Sequence, residues 1–201
     1  MGKIYAGASN TAREVKKIYA GVNGVAKEIS KVYAGVNGVA KLIWEKAQGQ
    51  AVSIPTMTSN TLPSGVASAS TVFQDSNTYQ AFRAFDKDTG TYWSSKIWSI
   101  SHDMRVTYDF GFLVRPNEVY VKNGSQNSTA FRRFYIEGSA DGTAWDILVD
   151  QSSNTDAVDT TYPITTANNY RYFRYRCAVT SSSTSSGRVL VYEFDVRGFK
   201  I

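Results

Sequence analysis

The sequence predicts an all-β protein: an antiparallel β-sandwich of the jelly-roll type, preceded by a short arm of β-hairpins. Three observations predict this fold class. Residues 3–44 repeat one short phrase that carries Asn-Gly pairs, the rest of the chain alternates apolar and polar residues in short runs, and helix signals are few.

The phrase occurs as KIYAGASNTAREVK (3–16), KIYAGVNGVAKEIS (17–30) and KVYAGVNGVAKLIW (31–44). Asn-Gly between β-formers is a strong hairpin signal, because a type I′ turn needs positive φ at both central residues. Pairing outward from Asn23-Gly24 sets Gly21 opposite Ala26 and Ile18 opposite Ile29. The arm is then a β-meander of up to six short strands. Longer strands between the Asn-Gly turns are an alternative, whereas two glycines within one turn disfavour a helix.

A meander of such short strands is marginal in water and leaves open edges. The arm is therefore expected to attach or multimerise the protein. Its repeats resemble those at the ends of some bacteriophage structural proteins, which often close on an aromatic, as here with Ile43-Trp44. That resemblance implies other virion proteins as partners, a homo-oligomer with a trimer favoured, and a place on the surface of a phage particle made in the bacterial host cytoplasm.

Composition separates the arm from the rest of the chain. Residues 1–50 hold eight Lys/Arg and three Glu, whereas residues 51–201 hold fourteen charges of each sign, so the net charge of +5 belongs to the arm. A neutral large domain argues against nucleic-acid binding, and no apolar run is long enough for membrane insertion. We expect three hairpin repeats in 1–46, a linker in 47–54 and the sandwich in 55–201, with no leader peptide.

The large domain contains six alternating runs that read as strands. They are separated by turn-rich stretches, for which we take Asn123-Gly124, Asp141-Gly142 and residues 181–187. In the run 170–179, alternation places Phe173 and Cys177 on the core face. The runs are RVTYDFG (105–111), EVYVKN (118–123), FRRFYIEGS (131–139), WDILVD (145–150), YRYFRYRCAV (170–179) and VLVYEFDVRG (189–198).

The order of these motifs resembles the discoidin, or coagulation factor 5/8 type C, family. AFDKDTGTYWSS (84–95), YDFG (108–111), the stretch 118–148, the strand at 170–179 and VLVYEFDVRGF (189–199) follow one another as that family's motifs do. The family includes many galactose-binding-like carbohydrate-binding modules. The resemblance covers about residues 55–199 and implies that Trp93 and Trp145, which belong to fold motifs, lie in the core.

The acidic loop at 86–91 is a candidate cation site, because Ca²⁺ takes six to eight hard oxygen ligands. In the resembled modules this loop and a glutamate of the last strand hold a structural Ca²⁺. Position by position, the resemblance implies these ligands: Asp88, Thr91 and Glu193, with backbone oxygens of Phe85 and Asp86. The sequence departs at Lys87, where the family usually has glycine, so a lysine is expected at positive φ beside the ion. The alternative is a capped turn in which Asp88 accepts hydrogen bonds from backbone amides.

A sugar surface needs an aromatic face for the C–H side of a pyranose and polar groups for its hydroxyls. In the resembled modules such residues lie on loops at one end of the sandwich. The residues of this sequence on the matching loops are Trp98, His102, Arg105, Lys122, Asn123, Asn127 and Arg188. For His102 the alternative is an ordinary exposed loop residue, and for Lys122 and Arg105 it is a solvated or ion-paired loop residue. The loop at 181–188 is rich in serine and lacks the aromatic often found there.

Catalysis is not expected. The chain has one histidine, His102, and one cysteine, Cys177. Cys177 lies in the middle of a predicted strand with an apolar pattern, so we expect it to be a packing residue. Asp86 and Asp88 are too close in sequence to flank a glycosidic bond. The expected function is that of a non-enzymatic virion protein, from tail, baseplate or capsid surface, that binds host-surface carbohydrate. The alternatives are a purely structural decoration or baseplate protein without a glycan ligand, and a bacterial surface adhesin.

Overall fold

In the computed structural model the chain divides into two compact units, Met1–Gln48 and Gly49–Ile201. The structure describes residues 5–8, 11–14, 18–22, 25–29, 31–36, 39–45, 49–97, 104–126, 129–178 and 187–201. Within these residues no helix is long and apolar enough to cross a bilayer.

The arm consists of three hairpins, one for each copy of the phrase. Their strands are β1 (Tyr5–Ala8), β2 (Thr11–Glu14), β3 (Ile18–Val22), β4 (Val25–Ile29), β5 (Lys31–Val36) and β6 (Val39–Glu45). The predicted register of the second copy is confirmed, with Gly21 opposite Ala26 and Ile18 opposite Ile29. The continuous meander is not seen: in the part of the arm that the structure describes, strands pair only within their own hairpin. The turn residues Asn23-Gly24 lie outside the described residues.

The large unit contains nine strands and four short 3₁₀ turns in the described ranges. The strands are β7 (Ala51–Ser53), β8 (Val66–Ala69), β9 (Trp93–Ser94), β10 (Arg105–Gln126), β11 (Phe134–Ser139), β12 (Asp146–Gln151), β13 (Asp159–Pro163), β14 (Tyr170–Cys177) and β15 (Arg188–Lys200). The 3₁₀ turns are Phe73–Asp75, Asn77–Tyr79, Ala81–Ala84 and Thr129–Arg132. Residues 51–53, assigned above to the linker, pair as β7 with the closing strand β15.

The long strand β10 joins the two layers of the sandwich. Its first part pairs antiparallel with β8 and β14, and its second part pairs antiparallel with β13 and β15. Register shifts between Asp109 and Val114 and between Pro116 and Glu118 lie between these two parts. β-Bulges bend a strand and increase its twist, so one strand can serve both layers. The prediction of an all-β antiparallel sandwich preceded by hairpins is confirmed.

The core lies between the layers and is rich in aromatic side chains. Trp93 is fully buried, as predicted, and its indole Nε1 donates a hydrogen bond to the Thr71 carbonyl. The prediction for Trp145 is wrong. Its ring is only half-buried on the outer face, where the Arg174 guanidinium lies 3.8 Å from the ring centroid. This cation–π contact stabilises the Trp145 ring in a position that the core does not enclose.

Alternation along β14 is confirmed for Phe173, Tyr175 and Cys177, all of which are buried. Tyr170 is also buried although alternation places it on the other face, because its ring packs directly over Gly138, where no side chain intervenes.

The predicted turn at Asn123-Gly124 is wrong, because both residues lie inside β10. Gly124 pairs there with Leu190 of β15, and a Cβ at this glycine would meet the Tyr192 ring at 3.1 Å. The chain does not reverse at this Asn-Gly pair. The glycine instead allows an aromatic ring to approach the strand closely.

Candidate functional site

Arg188, the first residue of β15, is the predicted sugar contact that the structure places among aromatic side chains. Its guanidinium lies 3.6 Å from the centroid of the Phe73 ring and 6.0 Å from that of Tyr79. Nη1 is also 3.3 Å from the Ser94 hydroxyl. A guanidinium stacked in this way is pre-oriented and keeps further N–H donors for a ligand.

Four aromatic rings continue from Arg188 across this side of the sandwich: Phe73, Tyr79, Tyr92 and Tyr192, hereafter the aromatic row. Successive ring centroids are 5.7, 5.4 and 5.1 Å apart. All four residues are half-buried, so each ring packs on its neighbour and still meets solvent. Such rings combine apolar surface with phenolic hydroxyls, which suits a ligand with both C–H and O–H groups.

A recess of about 150 Å³ adjoins the middle of the aromatic row. Its lining combines two tyrosine rings, two threonines and a guanidinium, from Thr78, Tyr79, Arg83, Gly90, Thr91 and Tyr92. Burial, and then the hydrogen bond with Tyr79, raises the pKa of the Tyr92 phenol, so the Tyr92 hydroxyl stays protonated at neutral pH and can donate as well as accept. The recess therefore offers hydroxyl and guanidinium hydrogen-bonding groups, and the charge of its one guanidinium, Arg83, is paired with Asp86.

Sequence reasoning missed the aromatic row. Alternation along β15 places Tyr192 on the same face as the core residues Phe194 and Val196, so the pattern alone would have put it in the core. A register shift between Lys122 and Asn123 leaves Tyr192 without a paired residue on β10, and its ring lies beside that of Tyr92. Phe73 and Tyr79 lie in an irregular segment of two 3₁₀ turns, where no periodicity shows which way a side chain points. Their proximity to Arg188 depends on the fold.

Asn123 is buried and does not face a ligand. Its Nδ2 donates to the Arg132 carbonyl at 3.1 Å and to the Tyr175 hydroxyl at 2.9 Å, and its Oδ1 accepts from the Val158 amide at 2.9 Å. These bonds use the amide group within the protein, so Asn123 stabilises the sandwich interior.

Two further predicted sugar contacts, Lys122 and Arg105, have other surroundings than Arg188. The Lys122 ammonium lies 3.3 Å from Asp159, with which it forms a surface ion pair. Arg105 lies in the field of Arg174, Arg176 and Glu137; burial and these two arginines lower its pKa. The remaining three predicted contacts lie outside the described residues: Trp98, His102 and Asn127.

The acidic loop forms a capped turn. Asp86 accepts from the Asp88 amide at 3.1 Å and from the Thr91 hydroxyl at 2.7 Å, and Asp88 accepts from the Gly90 amide at 2.9 Å. The Phe85 carbonyl accepts from the Met57 amide at 3.0 Å. The predicted ligands in the loop therefore hydrogen-bond to one another and to the backbone.

Lys87 has the positive φ that the sequence led us to expect, at 59°. Its ammonium lies 3.0 Å from Asp195 Oδ1 and 3.5 Å from Glu193 Oε1. Burial raises the pKa of Glu193 to about 7, and the Lys87 charge acts in the opposite direction. To coordinate both the loop and Glu193, Ca²⁺ would have to lie between them, and the Lys87 ammonium already lies there. The predicted ligand set therefore does not fit Ca²⁺. Nor do three metal-binding side chains of His, Cys, Asp or Glu converge anywhere else in the described ranges.

Comparison with known proteins agrees with this architecture. Chitosan-binding module 1 of a chitosanase/glucanase from Paenibacillus sp. IK-5 superposes with a TM-score of 0.51 at 22% identity, covering 71% of this chain and all of that module. Module 2 of the same enzyme, in complex with chitotriose, gives 0.52 at 15% identity, over 66% of this chain and 95% of that one.

The family 32 carbohydrate-binding module of NanJ from Clostridium perfringens, in complex with galactose, gives a TM-score of 0.52 at 14% identity, over 73% of this chain and 98% of that one. These likenesses show the fold. No curated protein sequence matches the chain. The family model described as "F5/8 type C domain" matches residues 66–194, well over half of the sequence, and the chain therefore belongs to the F5/8 type C domain family.

Proposed function

We propose that the large unit is a non-catalytic carbohydrate-binding module whose ligand lies against Arg188, the aromatic row and the adjoining recess. The observation that carries this proposal is the stacking of the Arg188 guanidinium on Phe73, beside the tyrosines and threonines of the recess. Apolar ring surface can take the C–H face of a pyranose, while hydroxyls and guanidinium N–H groups take its hydroxyls.

The chemistry of the recess favours a neutral sugar. Its lining contains no carboxylate, and its one guanidinium, that of Arg83, already pairs with Asp86 at 3.2 Å. Galactose and chitooligosaccharides are the first ligands to test, because modules of similar fold were solved with galactose and with chitotriose.

For the whole chain we propose a virion protein on the surface of a phage particle, with the arm as its anchor. The repeats supply six short strands in a basic segment, and they form a compact unit apart from the sandwich. Two-stranded hairpins are marginally stable alone, so a partner is expected: further copies of the arm, with a trimer favoured, or other virion proteins. Several modules on one particle would turn weak sugar contacts into avidity.

The test of sugar binding is a glycan array with the full chain, followed by titration calorimetry on the best ligand. Wild type, Arg188→Ala, Tyr79→Ala and Lys122→Ala should be compared, each with its melting temperature recorded. We expect the first two variants to weaken binding at least tenfold and Lys122→Ala to bind like wild type, since Lys122 pairs with Asp159. Loss of binding in Lys122→Ala but not in Arg188→Ala would place the sugar elsewhere.

An array without any bound glycan would favour the purely structural decoration or baseplate protein. The anchoring role is tested separately, by measuring molar mass in solution for the full chain and for residues 49–201. We expect a multimer, and most simply a trimer, for the full chain and a monomer for the shorter one. Equal monomeric masses would remove the multimerising role of the arm.

A further inference from the structure

Two buried carboxylates lie on the closing strand, where they alternate with the core residues Phe194 and Val196. Glu193 and Asp195 are two residues apart on β15, and both residues are at most 4% exposed. Asp195 accepts hydrogen bonds from the Ile54 amide and the Arg197 side chain. Neither oxygen of Glu193 accepts a hydrogen bond, and buried carboxylates in this state need a cation nearby.

Lys87 provides that cation at the cost of an unfavourable backbone conformation. A lysine at φ 59° is uncommon, because its Cβ crowds the backbone. The loop holds it there through the hydrogen bonds of its flanking residues, the Asp88 amide to Asp86 and the Gly90 amide to Asp88. The side chain is 31% exposed, so its stem reaches inward along the loop while its ammonium contacts both carboxylates.

We propose that Lys87 is a built-in counter-cation which replaces Ca²⁺ in this module, so that the sandwich is stable without metal. One ammonium contacts both carboxylates, and a divalent ion placed beside it would be repelled by its charge. Both oxygens of Asp86 and Oδ1 of Asp88 already accept hydrogen bonds within the capped turn, which leaves them fewer lone pairs for a metal. Lys87 thus offsets part of the charge of the pair from within the chain, and Arg197 pairs with Asp195 as well.

The proposal is tested on the full chain by thermal unfolding in excess EDTA and in millimolar CaCl₂. The wild-type melting temperature should be the same in both. Lys87→Met keeps the length of the side chain and removes its charge, and we expect it to lower the melting temperature by roughly 5 °C or more. The matched control is Lys96→Met: Lys96 pairs with Asp75 at 3.1 Å on the surface, where an ion pair contributes little, so a shift of about 1 °C or less is expected.

A double-mutant cycle then assigns the loss to the carboxylate. Glu193→Gln in the Lys87→Met background removes the unbalanced charge and should recover part of the lost melting temperature. A wild-type melting temperature that rises by several degrees in CaCl₂ would overturn the proposal. So would a Lys87→Met variant as stable as wild type in EDTA, or a Glu193→Gln change that recovers nothing.

Discussion

Replacing Glu137 by glutamine removes the negative centre of the ion-pair cluster on the outer face of β11 and β14. Glu137 is 3% exposed and accepts from Arg174 Nε at 2.5 Å and from Arg176 Nη2 at 2.7 Å. Breaking a buried ion pair costs ~3–5 kcal/mol. Glutamine keeps one acceptor oxygen and the two guanidinium groups still meet solvent, so we expect a loss of ~2–3 kcal/mol.

For a domain of this size, that loss corresponds to a fall in melting temperature of roughly 4–12 °C. Differential scanning calorimetry of Glu137→Gln at neutral pH measures it directly. The matched control is Glu118→Gln, because Glu118 pairs with Arg197 on the surface with its side chain 34% exposed, and the expected change is under ~1 kcal/mol.

The same variant has a predicted dependence on pH. Burial alone would raise the pKa of Glu137, but the hydrogen bonds from Arg176 and Arg174 outweigh it and lower the pKa below its usual value. A carboxyl whose pKa is lower in the folded state contributes stability that is complete above its unfolded pKa of about 4.3. That contribution disappears as the pH falls through the folded pKa. A stability difference that stays constant into strong acid, or no difference at neutral pH, would refute the ion-pair explanation.

Three further predictions concern packing and organisation. Gly198→Ala should lower the melting temperature by roughly 5 °C or more, because its Cβ would lie 2.3 Å from the Arg115 carbonyl oxygen. Asn123→Ala should cost ~1–3 kcal/mol in denaturant unfolding, by leaving the Val158 amide and the Arg132 carbonyl without their partner, yet leave the affinity for sugar unchanged. Removal of residues 1–48 should leave the melting temperature of residues 49–201 within about 2 °C of its value in the full chain.

Local pattern predicted most of the fold, because strand pairing follows from alternation and from turn chemistry. The prediction failed where the same local sequence can form either a turn or a strand and a contact with a distant part of the chain decides between them. Asn-Gly is flanked by paired strands at 23–24 in the arm, but at 123–124 the chain continues as a strand against β15. In the second case the asparagine amide finds three partners within the sandwich and the glycine admits the Tyr192 ring, so the extended conformation is favoured.

The candidate site was less predictable, for a related reason. The resemblance predicted sugar contacts on the matching loops, and among the described ones Arg188 stacks on the Phe73 ring. The rings beside it come from two 3₁₀ turns, from the residue before Trp93 and from the middle of β15. No sequence spacing connects those positions, so only the packed sandwich brings the aromatic row together.

Lys87 shows how one residue can change what stabilises a loop while the rest of the loop motif stays the same. A glycine at this position would adopt φ near 59° without strain but would leave Glu193 without a cation from the chain. A lysine accepts the strained backbone and brings its charge to 3.0 Å from Asp195 and 3.5 Å from Glu193. A tethered cation has no dissociation equilibrium, so dilution cannot remove it, whereas the stabilisation by a bound ion falls with the logarithm of its free concentration. A covalent counter-cation therefore makes this contribution to stability independent of the free calcium concentration.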